Sequence, residues 1–427
     1  MPSRFRELLI TQLQQRLSDQ LPEMLEQTVT LCEVKSGSDN RIGIEAVNRL
    51  LENLFEPVCD VMEYRPLAPV RQMLEGTGAG GAIGRYVDVP SAPMLLCRCR
   101  PKAPLQFLFT GHSDTVFPLE SDFQRCWRKD NHLHGPGTAD MKGGLVVLAY
   151  ALRQVNWLLS PSMKQVFGFT LAISPDEETG SLASGPELMR LAQQAHIGLT
   201  YEPALPDGSL AGARKGSGNF SLLASGVGGH AGRDFFCSKN ALVAVAEVAV
   251  ALSRLSSEPQ GISVNVGRIV GGDAVNKVPD QALCRFNVRV LDKVQQAGME
   301  LAIQNCLVEA EQRTGCSFEL HGGFNRPPKP MSEAQLALFQ LAQQAGDLLD
   351  LRLSQQPTGG CCEGNNLAHA GLVNLDTLGV RGFGIHTTRE YACVDSFVER
   401  AALTVLLIEK VIQAHCAGRL PCLNTQH

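Results

Sequence analysis

The first half of the chain alternates apolar, β-branched segments with amphipathic ones, and this alternation most constrains the fold. The segments MLLCRC (94–99), LQFLFTG (105–111) and VFGFTLAI (166–173) have the composition of buried strands. Between the last two, apolar residues recur at helical spacing through 141–156. Strands that alternate with helices pack as layers around a mostly parallel sheet. We therefore predict an α/β fold with a mixed sheet.

The middle of the chain follows a different order of elements. Strands are predicted at 219–226, 261–270, 282–292 and 316–322, with helices at 240–255 and 295–314. This β-α-β-β-α-β order is that of a ferredoxin-like unit. After NRPPKP (325–330) the α/β pattern resumes, with a helix near 332–349, a strand at 372–378 and a helix at 394–415. We predict one domain formed by 1–213 and 327–427, with a smaller domain, 214–326, inserted into it.

Composition excludes several classes of protein. A net charge of −5 over 427 residues gives no basic patch for nucleic acid or for an anionic membrane surface. No apolar run approaches the ~20 residues of a membrane span. The N-terminal segment is amphipathic and contains acids, unlike a signal peptide. The fourteen cysteines are scattered, without a CxxC pair or zinc-ribbon spacing. We expect a cytoplasmic protein that binds neither nucleic acid nor membranes.

Three consecutive acids, Asp176 to Glu178, follow the predicted buried strand 166–173. Buried carboxylates are costly unless something neutralises them. In α/β proteins, ligands bind beyond the carboxyl ends of the strands. Histidines and further acids lie at other predicted strand ends and loops, namely His112, Asp114, Asp140, Glu202 and His386.

A mixed set of histidines and carboxylates indicates zinc or a similar divalent metal. Five candidate ligands exceed what one tetrahedral ion needs and suit two ions about 3.5–4 Å apart. Asp140 lies between glycine-rich turns and could bridge them, while Asp114 could hold the ring of His112. Of Glu177 and Glu178, one would bind metal and the other would serve as general base.

Several motifs together resemble the M20 family of metallopeptidases, in particular its carboxypeptidase G2 branch. They are TGHSDTVF, GPGTADMKGG, DEETGS, GVGGHAGRDF, VNKVPD and HTTREYACVD, in this order along nearly the whole chain. The family includes glutamate carboxypeptidases, acetylornithine and succinyl-diaminopimelate deacylases, and aminoacylases. The resemblance implies a zinc-peptidase catalytic domain with an inserted ferredoxin-like lid, through which the protein would form a homodimer.

The resemblance also implies a role for individual residues. Glu177 would be the general base and Glu178 a metal ligand. His230 would reach the active site of the neighbouring subunit and polarise the scissile carbonyl. Two zinc ions, with cobalt or manganese as alternatives, would be held by His112, Asp140, Glu178, Glu202 and His386, with Asp140 bridging and Asp114 orienting His112. Substrate contacts would come from Asn276, Arg289, Arg326 and Gly360.

We therefore expect metal-dependent hydrolysis of an amide bond next to a free carboxylate in a small-molecule substrate. Glu177 would take a proton from water and pass it to the leaving amine. Dipeptides, N-acyl amino acids and acyl-glutamates all remain open as substrates. Two alternatives are hydrolysis of a carbamoyl or amidine group and a binding homologue without catalysis. The intact Glu177 argues against the second.

Two segments depart from the expected patterns. The loop TGGCCEGNN carries Cys361, Cys362 and Glu363 where family members commonly have small residues and an Asp. We interpret the two cysteines as small apolar fillers, because a free cysteine usually behaves as one. The segment GTGAGG (76–81) matches a dinucleotide-binding pattern, but no strand is predicted before it and no helix after it. We interpret it as a loop.

Overall fold

A six-stranded mixed sheet forms the centre of the protein in a computed structural model, which describes residues 3–76 and 83–420. Its strands are Val61–Arg65 (β1), Met94–Cys99 (β4), Leu105–His112 (β5), Phe167–Ser174 (β8), Ile197–Thr200 (β9) and Asn374–Leu375 (β18). Their spatial order is β1-β4-β8-β5-β9-β18. The last four strands pair in parallel, whereas β4 is antiparallel to both of its neighbours. The predicted α/β fold with a mixed sheet is confirmed.

Helices cover both faces of this sheet. They are Ser3–Cys32 (α1), Arg41–Phe55 (α2), Lys142–Leu158 (α3), Pro161–Val166 (α4), Gly185–Ala192 (α5), Glu333–Asp347 (α8), Glu363–His369 (α9) and Asp395–Cys416 (α10). Phe107 and Phe109 pack into the larger core with α1, α3 and α10, whereas Leu108 packs into the core with α5 and α9. Because β5 is apolar on both faces, it occupies a central position in the sheet.

A second sheet lies between residues 216 and 326. It consists of Gly216–Ser225 (β11), Ser263–Gly271 (β13), Gln281–Val290 (β15) and Ser317–Arg326 (β16), antiparallel in the order β13-β15-β11-β16. Helices Ala241–Ser253 (α6) and Lys293–Thr314 (α7) share a separate hydrophobic core with one of its faces. With two-residue strands Gly229–His230 (β12) and Lys277–Val278 (β14), this unit is called the lid below. Its main elements follow the predicted β-α-β-β-α-β order.

Several short elements were not predicted from the sequence. Val70–Glu75 (β2) and Gly84–Val89 (β3) form an antiparallel hairpin, and Leu210–Arg214 (β10) pairs in parallel with Gln355–Thr358 (β17). A small sheet joins Trp127–Lys129 (β6), His132–His134 (β7), Gly382–Phe383 (β19) and Tyr391–Cys393 (β20). Two 3-10 helices lie at Glu56–Val58 and Phe235–Cys237. Strands of two or three residues are too short to show a periodic pattern.

Two expectations from the sequence need correction. The strand expected at 372–378 is only Asn374–Leu375, because Asp376 enters a buried ion pair and Thr377 adopts a φ of 61°. The loop GTGAGG does have a strand before it, since β2 ends at Glu75 and β3 begins at Gly84. Residues 77–81 of this segment lie outside the described residues. Across the described ranges, no helix has both the length and the apolar character that crossing a membrane requires.

Candidate metal centre

Adjacent parallel strands deliver several of the predicted residues to one edge of the six-stranded sheet. His112 is the last residue of β5 and pairs with Ser174, the last residue of β8. Glu177 and Glu178 follow β8, and Glu202 follows β9, which pairs with the other side of β5. The carboxyl ends of parallel strands meet at one edge, so these side chains converge there.

The five predicted metal ligands form two groups that share Asp140. His112, Asp140 and Glu202 form the first, and Asp140, Glu178 and His386 the second, with ligand atoms within 4.8 Å of one another. Asp140 Oδ1 lies 3.2 Å from His112 Nε2, and its Oδ2 lies 3.2 Å from His386 Nε2. His386 Nε2 is also 3.1 Å from Glu178 Oε2, and His112 Nε2 is 3.9 Å from Glu202 Oε1. Each oxygen of Asp140 therefore faces a different imidazole.

Asp114 connects the ring of His112 to the turn that carries the two glutamates. His112 Nδ1 lies 3.0 Å from the backbone oxygen of Asp114 and 3.3 Å from its Oδ1. The carboxylate of Asp114 accepts backbone hydrogen bonds from Glu177 and Glu178, both at 3.1 Å, and one from the Ser38 hydroxyl at 2.7 Å. Because Nδ1 is engaged, the ring presents Nε2 to Asp140.

Glu390 supports Asp140 from behind, and sequence reasoning did not identify it. Glu390 Oε1 accepts hydrogen bonds from the backbone N–H groups of Ala139 and Asp140, both at 3.0 Å. The residue is 1% exposed, and burial, followed by repulsion from Asp140, raises its pKa to about 7. The sequence did contain a signal for this residue, because Glu390 is an acid within the HTTREYACVD motif and immediately precedes the short strand β20.

The carboxylates outnumber the cations at this edge of the sheet. Burial raises the pKa of Glu178 to about 8 and that of Glu202 well above its usual range, with repulsion from Asp140 adding to both. Hydrogen bonds with Asp140 and Glu178 raise the pKa of His386 to about 11. Burial lowers the pKa of His112, but hydrogen bonds with Asp114 and Asp140 reverse this and raise it. In the protein alone, the two imidazoles are the only metal-group residues that can carry the balancing positive charge.

Glu177, the predicted general base, is bonded to Arg326. Arg326 Nη2 donates to Glu177 Oε1 at 2.5 Å and to the Glu177 backbone oxygen at 3.1 Å, and Nη1 donates to Asn366 Oδ1 at 2.5 Å. Arg326 is 2% exposed. Its guanidinium, predicted to bind substrate, is therefore held against the base and is not among the residues that line the adjoining pocket.

The metal groups open into a pocket of about 210 Å³. Its walls include predicted residues and others that were not assigned, namely Asp140, Glu177, Glu178, Glu202, Arg214, Gly360, Cys361, Cys362 and His386. Cys362 is 2% exposed and accepts a hydrogen bond from the Gly364 N–H, as expected of a buried filler. Cys361 is half-buried, and its Sγ lies 3.2 Å from Arg289 Nη1.

A buried group with two cations and one carboxylate supports the Gly359–Cys361 loop. Arg214 binds both oxygens of Asp376, at 2.9 and 2.8 Å, and Lys329 Nζ donates to the same carboxylate at 2.7 Å. Arg214 Nη1 also donates to the Gly360 backbone oxygen at 3.2 Å. Lys329 is 1% exposed and Asp376 is fully buried. The group leaves a net positive charge beside the pocket, and no motif in the sequence predicted it.

Two residues predicted to act on substrate lie together on the lid, among exposed residues. His230 and Asn276 are both exposed, and the backbone oxygen of Asn276 accepts a hydrogen bond from the Ala231 N–H at 2.9 Å. Neither residue lines the metal pocket of its own chain. Arg289, from strand β15, does approach this pocket, since its Nη1 donates to the Gly359 oxygen at 3.4 Å.

Comparison with known proteins places this arrangement in a family. The model of peptidase family M20/M25/M40 matches residues 108–410, which is most of the chain. The chain belongs to this family. The resemblance predicted from the motifs is thereby confirmed, and this M20 protein is a hydrolase of a family whose members depend on metal.

Individual relatives extend the likeness beyond that range. Carboxypeptidase G2 of Pseudomonas sp. (strain RS-16) is 24% identical over 407 residues, which cover 92% of this chain and 90% of that protein. Aminopeptidase PepT from Bacillus cereus superposes with a TM-score of 0.67 at 21% identity, covering 93% of this M20 chain and 98% of the other. The Bacillus subtilis protein YXEP, described as a dinuclear metal-binding peptidase, superposes with a TM-score of 0.64 at 12% identity. The match covers 93% of this M20 chain and 99% of the other. The structural likenesses show a shared fold.

Proposed function

We propose that this M20 protein is a di-zinc hydrolase that cleaves an amide or peptide bond next to a free carboxylate. The observation that carries the proposal is the position of Asp140, whose two oxygens each lie 3.2 Å from a different histidine. A carboxylate shared between two groups of ligands suits two metal ions about 3.5–4 Å apart.

The residues present fit a pair of such ions. Each group combines one imidazole with two carboxylates, which are ligands that zinc accepts. Glu202 Oε1 is buried and has no hydrogen-bond partner among the described residues, as a ligand atom without its metal would be. When bound, the ions would supply Lewis-acid activation of water and of the substrate carbonyl.

Glu177 is the proposed general base. It lines the pocket beside Asp140 and Glu178, and it is 9% exposed, so it can meet a water there. Since Oε1 is bonded to Arg326, Glu177 takes a proton from this water at Oε2 and returns it to the leaving nitrogen. Asp114 fixes the backbone of Glu177 and thereby the position of its carboxylate.

Arg289 and Arg326 are the proposed ligands of the substrate carboxylate. Arg289 has no acidic partner among the described residues; its Nε donates to Asn287 Oδ1 at 3.0 Å. Its Nη2 forms no hydrogen bond with the described residues, so this nitrogen remains available to a carboxylate. Arg326 already donates through Nη2 to Glu177 and through Nη1 to Asn366, so a substrate carboxylate would share this guanidinium with the proposed base.

We also propose a homodimer in which each lid brings His230 and Asn276 to the partner's active site. Support comes from the surface near these residues. Phe236 is 98% exposed and Val275 is fully exposed, so large apolar side chains lie uncovered close to both. Apolar side chains of this kind are typical of the buried centre of protein interfaces. The cytoplasmic location stays a prediction from the sequence.

The proposed function is tested by a hydrolysis screen. Zinc-loaded protein is offered N-acetyl amino acids, dipeptides and acyl-glutamates, and the release of free amine is followed. Activity that EDTA abolishes and zinc restores supports the proposal. Matched protein with Glu177→Gln controls for contaminating hydrolases. If protein that holds two zinc ions hydrolyses none of these compounds, the result would contradict amide hydrolysis.

A further inference from the structure

A second, larger cavity of about 860 Å³ lies between the lid and the β2–β3 hairpin. The hairpin lines it with Val70 to Met73, and the face of the lid sheet opposite its helices forms a second wall. Thr179 and Leu182, just beyond the two glutamates of the metal centre, complete it. Its volume lies within the range of small-molecule sites, about 300–1,000 Å³. It is several times larger than the pocket at the metal centre.

Strand β15 leads from this cavity to the metal pocket. Alternate residues of a strand point to the same face, so Arg285, Asn287 and Arg289 form one row. The first two line the cavity. Asn287 Oδ1 accepts a hydrogen bond from Arg289 Nε at 3.0 Å, and Arg289 contacts the loop at Cys361 that borders the metal pocket.

Strand β16 provides a second connection. Asn325 lines the cavity, and its Nδ2 donates to the Gly180 oxygen at 2.9 Å. The next residue, Arg326, is bonded to Glu177. Asn325, which lines the cavity, and Arg326, which is bonded to the proposed general base, are thus consecutive residues of β16.

The lining of the cavity is cationic and rich in amides. Arg71 and Arg285 supply positive charge, and none of the lining residues is acidic. The guanidinium of Arg71 stacks on Tyr86, 4.5 Å from the ring centroid. Two acids of the hairpin lie near these arginines. Asp88 is the cross-strand partner of Arg71, and Glu75, which is bonded to Arg268 at 2.5 Å, forms an ion pair of 3.8 Å with Arg285 Nε. On β16, Glu319 is bonded to the Tyr86 hydroxyl.

Two polar atoms at the cavity form no hydrogen bond with the described residues. Arg285 Nε and Asn325 Oδ1 are buried and form no hydrogen bond in the part of the chain that the structure describes. Buried polar atoms of this kind normally find a partner, so they indicate a ligand with both acceptor and donor groups. Amide groups supply both, and carboxylates suit the two arginines.

We propose that this cavity binds an extension of the substrate's leaving amino acid, and that this extension contains amide bonds and at least one further carboxylate. The inference rests on the proposed function, because Arg289 would hold the carboxylate next to the scissile bond. The row along β15 then directs the side chain of the same amino acid past Asn287 toward Arg285. A single amino-acid side chain would leave most of the cavity unfilled.

Two substrates with the same scissile bond test the proposal. The short one is N-acetyl-glutamate, and the long one carries two further glutamates joined in series through γ-carboxyl amide bonds. We expect kcat/KM of the zinc-loaded protein to be at least about tenfold higher for the long substrate. Arg71→Ala should bring this ratio close to one. Arg85→Ala is the matched control on the same hairpin, since Arg85 is exposed and does not line the cavity, and it should keep the ratio.

A measurement of ligand affinity distinguishes failure of this proposal from failure of the proposed function. Calorimetry measures the affinity of γ-linked triglutamate and of glutamate for the same protein variants. Binding of triglutamate that weakens about tenfold in Arg71→Ala but not in Arg85→Ala supports the cavity site, even if no amide is hydrolysed. Hydrolysis of the short substrate with equal affinity for the two ligands overturns the cavity site and leaves the proposed function in place.

Discussion

The guanidinium of Arg326 is bonded to the carboxylate of Glu177, with 2.5 Å between Nη2 and Oε1. Both side chains are largely buried, at 2% and 11% exposure. A buried ion pair is costly to break from one side, because the remaining charge is left without a partner. The proposed general base is therefore positioned by a cation as well as by Asp114.

Arg326→Met should lower the free energy of unfolding by about 3–5 kcal/mol, because Glu177 is left as an unpaired buried acid. Adding Glu177→Gln should recover part of this loss, since the pair is coupled. Urea denaturation of the two single variants and the double variant measures the coupling. If the loss of the double variant equals the sum of the losses of the two single variants, the two residues do not interact in solution. Arg190→Ala, in a pair with an exposed arginine, is the control and should cost about 0–1 kcal/mol.

Glu177→Gln should reduce kcat by at least about 10²–10⁴-fold while the zinc content stays that of the wild type. Glu178→Gln, one residue further along, should instead lose zinc, because Glu178 Oε2 faces His386 in one of the ligand groups. Elemental analysis of dialysed protein measures metal per chain. Loss of zinc in the Glu177 variant would make that residue a ligand instead of the base.

Asp140→Asn should reduce the zinc content at both positions, since its two oxygens belong to different groups. Glu202→Gln changes a ligand of one group only and should affect about one ion per chain. Calorimetric titration of metal-free protein with zinc shows whether a variant has lost affinity for zinc at two sites or at one. Two intact sites in the Asp140 variant would exclude a shared carboxylate.

Asp376→Asn should lower the free energy of unfolding by about 3–5 kcal/mol, because Arg214 and Lys329 would remain as two buried cations without a counter-ion. Asp395→Asn, in a pair whose acid is 56% exposed, is the matched control and should cost about 0–1 kcal/mol. Thermal and urea unfolding measure both. A small effect at Asp376 would mean that water reaches this group.

Glu363 should make the protein less stable as the pH rises. Both of its oxygens are buried without a hydrogen-bond partner in the described residues, and burial raises its pKa from 4.5 to about 8. A carboxyl whose pKa is raised on folding contributes stability below pH 4.5, and this is lost as the pH rises through 8. Glu363→Gln should remove this contribution to the slope. Urea unfolding between pH 5 and pH 8 (about the range set by the two pKa values) measures it, and an unchanged slope would contradict the burial of the charge.

Local sequence predicted the regular elements well where the apolar pattern was long. Strands β4, β5 and β8 and helices α3, α7 and α10 were predicted close to their observed bounds, because each buries a periodic or continuous apolar set. The hairpin β2–β3 was missed, since its strands are partly exposed and contact polar residues of the lid. Its stability comes from contacts distant in sequence, which a local pattern does not contain.

The residues grouped around Asp140 were predicted because they follow buried strands or lie in recognisable motifs. The group formed by Arg214, Lys329 and Asp376 was not predicted, because its members come from three distant segments and only the fold brings them together. Likewise, the motif placed Arg326 near the substrate, but only the structure shows its bond to Glu177. Pairing between side chains depends on tertiary packing and leaves no periodic signal.

The hairpin β2–β3 affects how far the lid can turn. The chain crosses between the two sheets at Arg214 and Lys329, and these crossings lie side by side, joined by backbone hydrogen bonds of 2.9 and 3.0 Å. A rotation of the lid would have its axis at these two crossings, because hinges are formed by a few residues in loops or at the ends of elements. The hairpin reaches the lid away from this axis, through Glu75 to Arg268 and through Met73 to Arg285. Rotation of the lid would therefore require these bonds to break or the hairpin to move with the lid.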